Sequence, residues 1–207
     1  MTLSRRQFVG GVSALCASQT VSGRLAAQAN NPYDFSKPLV DWERVEGDWG
    51  VEEVPGAAHS GRALVQRATA NEFNVIVAPG GPFTNVTVTA RFRPMAGRED
   101  PSGGIVFRFS EGRYYLVRAN ALEDNFRLYY YERGRHMITT TSIKAPALGQ
   151  WHRLQVSASG DRIQGWLNDQ VLIDQRDSRF TAGRIGLWTK ADSVTAFDSI
   201  TVVPVNG

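Results

Sequence analysis

Residues 103–120, GGIVFRFSEGRYYLVRAN, constrain the fold more than any other stretch, because they alternate with a period of two on both sides of a turn signal. Such a period places successive side chains on opposite faces of a strand. In the first half Ile105, Phe107 and Phe109 fall on one face, and Gly104, Val106, Arg108 and Ser110 on the other. In the second half Tyr115, Val117 and Ala119 share a face, opposite Tyr114, Leu116, Arg118 and Asn120. Arg108 and Arg118 share a polar face only if Arg108 lies opposite Tyr114, since a slip of one residue turns the second strand over. That register predicts a three-residue loop, Ser110-Glu111-Gly112, with glycine where a positive φ is needed. An apolar layer on one side and an arginine- and tyrosine-bearing surface on the other follow from it.

The alternation recurs along the chain, punctuated by Gly, Pro, Asn and Asp. Residues 42–53 predict an opening strand pair that turns at Gly47-Asp48. Strands at 63–67 and 74–78 follow, and Pro79-Gly80-Gly81-Pro82 forces a loop. Residues 85–94 form a two-sided strand: Val86, Val88, Ala90 and Phe92 point inward, Thr87, Thr89, Arg91 and Arg93 outward. Further strands are expected at 125–132, 135–143, 151–157, 162–167, 171–174, 183–189 and 194–205. Long helical periods and repeats are absent from the sequence. The pattern predicts an all-β fold, a two-sheet antiparallel sandwich of the jelly-roll kind.

Ser4-Arg5-Arg6-Gln7-Phe8-Val9 has the twin-arginine form, followed by a weakly apolar stretch and by Ala27-Gln28-Ala29. Residues 1–29 therefore read as a bacterial Tat export signal, cut after Ala29, with one domain at 30–207 bound for the periplasm or secretion. The apolar stretch is shorter than the about 20 residues a bilayer span requires. Leu15 precedes Cys16, where a lipoprotein signal calls for a small residue, so no lipid anchor is expected. The chain has 23 basic and 20 acidic residues. Removing Arg5, Arg6 and Arg24 with the signal brings the two into balance, which leaves no electrostatic footprint for nucleic acid. Cys16 is the single cysteine, so the domain has none for a disulfide, a thiolate metal site or a nucleophile.

Four stretches, at 42–51 (WERVEGDWGV), 104–120, 151–168 (WHRLQV through GDRIQGWLN) and 183–202 (GRIGLWTKADSVTAFDSITV), resemble the concanavalin A-like jelly rolls. Within these they are similar to the 3-keto-disaccharide hydrolase-like domains, also described as laminin-G-like or glycoside hydrolase family 16-like. The resemblance covers nearly all of the chain after residue 29. It implies a curved sandwich whose concave face binds, and in some members cleaves, saccharides. The chain departs from those relatives where their chemistry sits. Family 16 glycosidases carry two glutamates and an aspartate on one strand, a paired-carboxylate arrangement; here Glu46, Asp48 and Glu52 fall off that spacing beside a glycine turn. The strand after the arginine strand lacks the acid and amide usual in the keto-sugar enzymes, and Lys190 stands where a histidine is often found.

Arg108 and Arg118 offer planar donor forks suited to sugar hydroxyls or a uronate carboxylate, or else pair with Asp and Glu across strands. Tyr114 and Asn120 share the Arg118 face. Trp166 beside Gln164, and Trp188 beside Lys190, are platforms for a pyranose ring or ordinary core. Glu123 and Asp124, in the loop after Asn120, are the acids best placed for acid/base work with His136, or form a solvated turn. Asp192 with Lys190 is a second such pair. His59 and His152 are isolated, so no histidine metal site is expected. The resemblance implies a structural calcium where the N-terminal lead-in meets the final strand, with oxygens from Asp198 and Asp34; no other cofactor is expected. Three roles stay open: a domain binding a saccharide or glycan through Arg108, Arg118, Lys190 and aromatic residues; a diverged 3-keto-disaccharide or glycoside hydrolase or lyase; and a laminin-G-like structural or protein-binding domain. Oligomeric state is not encoded in these patterns.

Overall fold

The computed structural model describes Tyr33 and residues 35–205. Residues 1–29, read as an export signal, lie outside the described residues. The described chain forms fourteen strands and no helix. One sheet runs β1 (Glu43–Glu46), β4 (Phe73–Val77), β13 (Arg184–Lys190), β6 (Ser102–Ser110), β7 (Arg113–Asn120), β8 (Asn125–Tyr131) and β9 (Arg135–Ser142). The other runs β12 (Gln170–Arg176), β11 (Arg162–Leu167), β10 (His152–Ser159), β5 (Val86–Ala96), β14 (Val194–Pro204), β3 (Arg62–Gln66) and β2 (Trp49–Glu53). All neighbours within each sheet are antiparallel. The expected two-sheet antiparallel sandwich is the observed fold.

The core lies between the sheets, and alternation fills it. Val86, Val88, Ala90 and Phe92 of β5 meet Ile105, Phe107, Tyr115 and Val117 of the central hairpin and Phe126 and Leu128 of β8. Burying each such large side chain contributes about 1.5–3 kcal/mol. The opening strands differ from expectation: β1 pairs with β4 and β2 with β3, so they belong to different sheets. Gly47 and Asp48 carry the chain across rather than closing a hairpin. Gly47 has φ +103°, and a Cβ there would lie 2.8 Å from Trp49 Nε1 and 2.9 Å from Asn74 Cβ, so a larger residue would obstruct the crossover.

The central hairpin departs from the expected register in an informative way. Phe107 pairs with Tyr115 but Ser110 pairs with Arg113, so Arg108 and Phe109 together face Tyr114 across a bulge. The loop is the pair Glu111 and Gly112, both at positive φ (51° and 77°) as a tight primed hairpin turn requires. Arg108 itself sits at φ 53°. The bulge exchanges two side chains: Phe109 turns to the outer face, where it stacks on Tyr114 with centroids 6.0 Å apart, and Arg108 turns inward. Its guanidinium donates to the carbonyls of Phe180 (2.8 Å), Thr84 (3.0 Å) and Gly160 (2.7 Å). Arg108 is buried and ties the first sheet to loops at the end of the second. It does not share a face with Arg118, contrary to the expectation of a twin-arginine surface.

Substituting Arg108→Met keeps the apolar stem but strands three carbonyls without donors. The expected cost is about 3 kcal/mol, which lowers Tm by roughly 6–12 °C for a domain of this size. Differential scanning calorimetry measures it, and an unchanged Tm would show that the clamp carries no weight.

Candidate functional site

The outer face of the first sheet gathers most of the side chains singled out above. Across it, cross-strand pairing runs Val75, Trp188, Gly104, Arg118, Arg127 and Thr140 in a single row. Gly104 leaves room in the middle of that row: a Cβ there would come within 2.6 Å of Leu116 Cδ1 and 3.2 Å of Arg118 Cβ. Trp188 is fully buried on this face. Phe73 packs on it at 5.8 Å between centroids, and the Arg135 guanidinium lies 5.9 Å from its ring. It is therefore the floor of the face rather than an exposed platform. Trp166 is in the other sheet, paired with Gln155 and Val171, and does not join this group.

One half of the face is an aromatic cleft of about 420 Å³, walled by Phe73, Val75, Phe109, Tyr114 and Tyr131, with Glu46 and Glu72 at its border. Tyr114 and Tyr131 are cross-strand partners whose rings stack at 5.0 Å and 2°. Burial, reinforced by Tyr131, pushes the Tyr114 hydroxyl above the ordinary phenol range, and nearby Arg135 only partly opposes this. Tyr114 is thus a neutral wall residue at any physiological pH.

The other half is polar. Arg118 is 1% exposed, and its Nη2 donates to Glu123 Oε2 at 2.7 Å and to the Tyr129 hydroxyl at 3.4 Å. Glu123 also accepts from Asn125 Nδ2 at 2.9 Å and lies 3.3 Å from Arg127 Nη1. Partial burial works against its charge, but hydrogen bonds from Arg118 and Asn125 and the charges of Arg118 and Arg127 prevail and hold its carboxyl at about 2. Glu123 is a counter-ion, ill suited to donate a proton near neutral pH. Beside this group Asp100, itself buried, accepts from Asn120 Nδ2 and pairs with Lys190 Nζ. Asn120 and Lys190 are thus joined through an aspartate that alternation does not single out.

The remaining acids serve loops. Asp192 accepts the backbone N–H groups of Arg98, Glu99 and Asp100; burial opposes its charge, yet these donors bring its pKa down. Asp124 Oδ1 accepts from Ala145 N at 3.0 Å. His136 stacks on Tyr130 at 4.7 Å, at the far end of the β8–β9 pair from Asn125. The acid/base pairs expected from sequence are therefore not assembled. Asp198 Oδ2 accepts from Ala58 N at 2.6 Å and Arg91 Nη1 at 3.2 Å, and its Oδ1 is buried without a partner. Asp34 lies outside the described residues, and no group of three His, Cys, Asp or Glu forms among those described. Arg91 supplies the positive charge at Asp198. No helix is long and apolar enough to cross a membrane among the described residues.

Glu123 titrates near 4.5 when free of these partners and near 2 within them. A lowered folded pKa means that its stabilising effect is complete above the unfolded value and fades as pH falls from 4.5 towards 2. Urea midpoints measured across that window should therefore fall more steeply for the native protein than for Glu123→Gln. Parallel curves would contradict the ion-pair assignment.

Levanase of Bacillus subtilis strain 168 is 24% identical over 174 residues, which is 81% of this chain and 23% of levanase. The chain therefore spans less than a quarter of that relative's length. Among solved structures, the carbohydrate-binding module CBM66 from Bacillus subtilis aligns with a TM-score of 0.68 at 22% identity, covering 79% of this chain and 96% of the module. The carbohydrate recognition domain of Emp46p, in its potassium-bound form, aligns at 0.61 with 10% identity, covering 87% and 100%. At these identities the structural likeness concerns the fold, the same β-sandwich that the alternation predicts. A family model described as the 3-keto-alpha-glucoside-1,2-lyase-like domain matches residues 34–203, almost all that the structure describes, and the chain belongs to that family.

Proposed function

We propose that this domain binds a saccharide on the outer face of its first sheet, the face expected to be concave in a sandwich of this kind. The observation that carries the reading is the stacked Tyr114–Tyr131 pair in a cleft of about 420 Å³, beside the hydrogen-bonding group of Arg118, Glu123 and Asn125. Sugar rings have apolar faces that lie against aromatic walls and rims of hydroxyls that need directional partners, and an apolar cleft with a few convergent polar groups offers both. The names of two aligned structures, a carbohydrate-binding module and a carbohydrate recognition domain, support the same reading. Within it, Arg118, Asn125 and Lys190 address hydroxyls, Asn120 holds Asp100 beneath Lys190, Tyr114, Tyr131 and Phe73 hold the ring, and Trp188 supports them from below.

Binding is preferred to hydrolysis or lysis of a keto-sugar because Glu123, Asp124 and Asp192, the acids singled out for acid/base work, are already committed. Glu123 is held ionised by two arginines, and Asp192 and Asp124 accept backbone N–H groups. General acid/base catalysis needs a carboxyl free to exchange its proton with the substrate, and these three are bonded to protein groups. The twin arginines Arg5 and Arg6 support export of the domain to the periplasm or beyond it, where glycans are met outside the cell.

Thermal-shift screening of the protein against fructans, glucans, keto-sugars, uronate-bearing and sulfated glycans, and their mono- and disaccharide units tests this reading. A ligand at about 100 times its Kd adds roughly 2.7 kcal/mol of stability. Tyr131 is only partly buried, so Tyr131→Ala should fold, and by calorimetric titration it should weaken the sugar identified by about 10–100-fold. A panel without a stabilising sugar, or a Tyr131→Ala protein that binds unchanged, would remove the reading.

A further inference from the structure

The charge on the polar half of this face is not balanced. Arg118, Arg127 and Arg135 converge on Tyr129. Nη2 of Arg118 and Nη1 of Arg127 donate to its hydroxyl at 3.4 and 3.2 Å, and the Arg135 guanidinium lies over its ring at 4.7 Å. Glu123 forms ion pairs with Arg118 and Arg127, and Arg135 has no acidic partner among the described residues. Asp100 is engaged with Lys190 and Glu132 with Arg113; Glu46 and Glu72, at the border of the cleft, form no ion pair with these arginines among the described residues. Three guanidiniums thus share one carboxylate.

Their hydrogen bonds are unfinished as well. Nε and Nη1 of Arg118, Nε of Arg127 and Nη1 of Arg135 are buried without a hydrogen-bond partner. A guanidinium withdrawn from water without partners destabilises the fold. Neutral hydroxyls can accept these N–H groups but leave the excess positive charge in place. A carboxylate or sulfate ester supplies paired acceptor oxygens and the missing negative charge together. Arg135 links this cluster to the cleft, since its guanidinium also lies 5.1 Å from Phe73, a cleft wall. Arg127 and Arg135 are partly exposed, so the cluster reaches solvent through them.

Resting on the saccharide reading of this face, we propose that its ligand is an acidic saccharide whose carboxylate or sulfate ester is held by Arg118, Arg127 and Arg135. Calorimetric titration of the purified protein tests it with matched oligosaccharides. Uronate-bearing ones (oligogalacturonate, oligoalginate, glucuronoxylan fragments) and sulfated ones (carrageenan fragments) are each compared with their neutral counterparts at low and high NaCl. The acidic member of at least one pair should bind about 10-fold tighter or more, with the advantage shrinking as salt screens the charges. Which pair shows it distinguishes carboxylate from sulfate ester. Arg135→Gln should weaken the acidic sugar about 10-fold and leave its neutral counterpart within about 2-fold. Neutral sugars binding as tightly as acidic ones would overturn the charge assignment and leave the saccharide site standing. Failure of every sugar, neutral or acidic, would remove both. Inorganic sulfate that competes as strongly as the acidic sugar would reduce the cluster to a small-anion site and also overturn it.

Discussion

The Arg108 guanidinium holds the structure's most consequential irregularity. Its bonds to the carbonyls of Phe180, Thr84 and Gly160 draw the side chain to the interior end of the sandwich, which is possible only because the strand bulges there. The same bulge turns Phe109 outward to complete a wall of the cleft. Gly183 makes the close passage feasible, since a Cβ there would lie 2.4 Å from the Arg108 carbonyl carbon. One buried cation thus settles both how the sheets are joined and what the outer face presents. Without it the hairpin would keep strict alternation, and the aromatic cleft would lose a side.

Much of this fold is legible in period-two patterning, because the sandwich buries one side of each central strand. β5 and β10 read directly, as do the inward residues Ile105, Phe107, Tyr115 and Val117. Patterning fails where long-range contacts override local preference. Arg108 is stabilised inward by carbonyls from three distant segments, which no local rule reveals. The stretch around Gly47 looks like a hairpin because a turn is present, but the strands beside it find better partners in different sheets. At the site, Tyr114, Arg118, Asn120 and Lys190 occupy outward strand positions, so their face follows from spacing. Asp100 lies in a loop, and Phe73, Tyr129, Tyr131 and Arg135 meet only through sheet order, with β4 and β13 entering beside β6. Their convergence has no signature in linear spacing.

The two halves of the outer face obey different physics. The aromatic half excludes water through ring contacts among Phe73, Tyr131, Tyr114 and Trp188, and its strength scales with area. The polar half depends on charge placed where water is scarce, so small changes in its partners have large effects. Glu123 stands between these regimes: it neutralises part of the arginine cluster and anchors Asn125. Membership of a family named for lyase-like chemistry is compatible with such a face, because a fold hosts a chemistry only where the side chains for it are in place.

Arg135 lies on β9, the last strand of its sheet, whose outer edge has no strand beside it among the described residues. Arg118 and Trp188 lie on interior strands, where a substitution disturbs neighbours on both sides. On the proposed reading, part of the charge that would select the ligand therefore lies on an edge strand, while Arg118 acts from an interior one. Sequence drift along β9 can alter the reach and sign of the grip while the core between the sheets stays intact. If the outer face binds as proposed, such a scaffold diversifies among related ligands by changes at its margin while the architecture at its centre is kept.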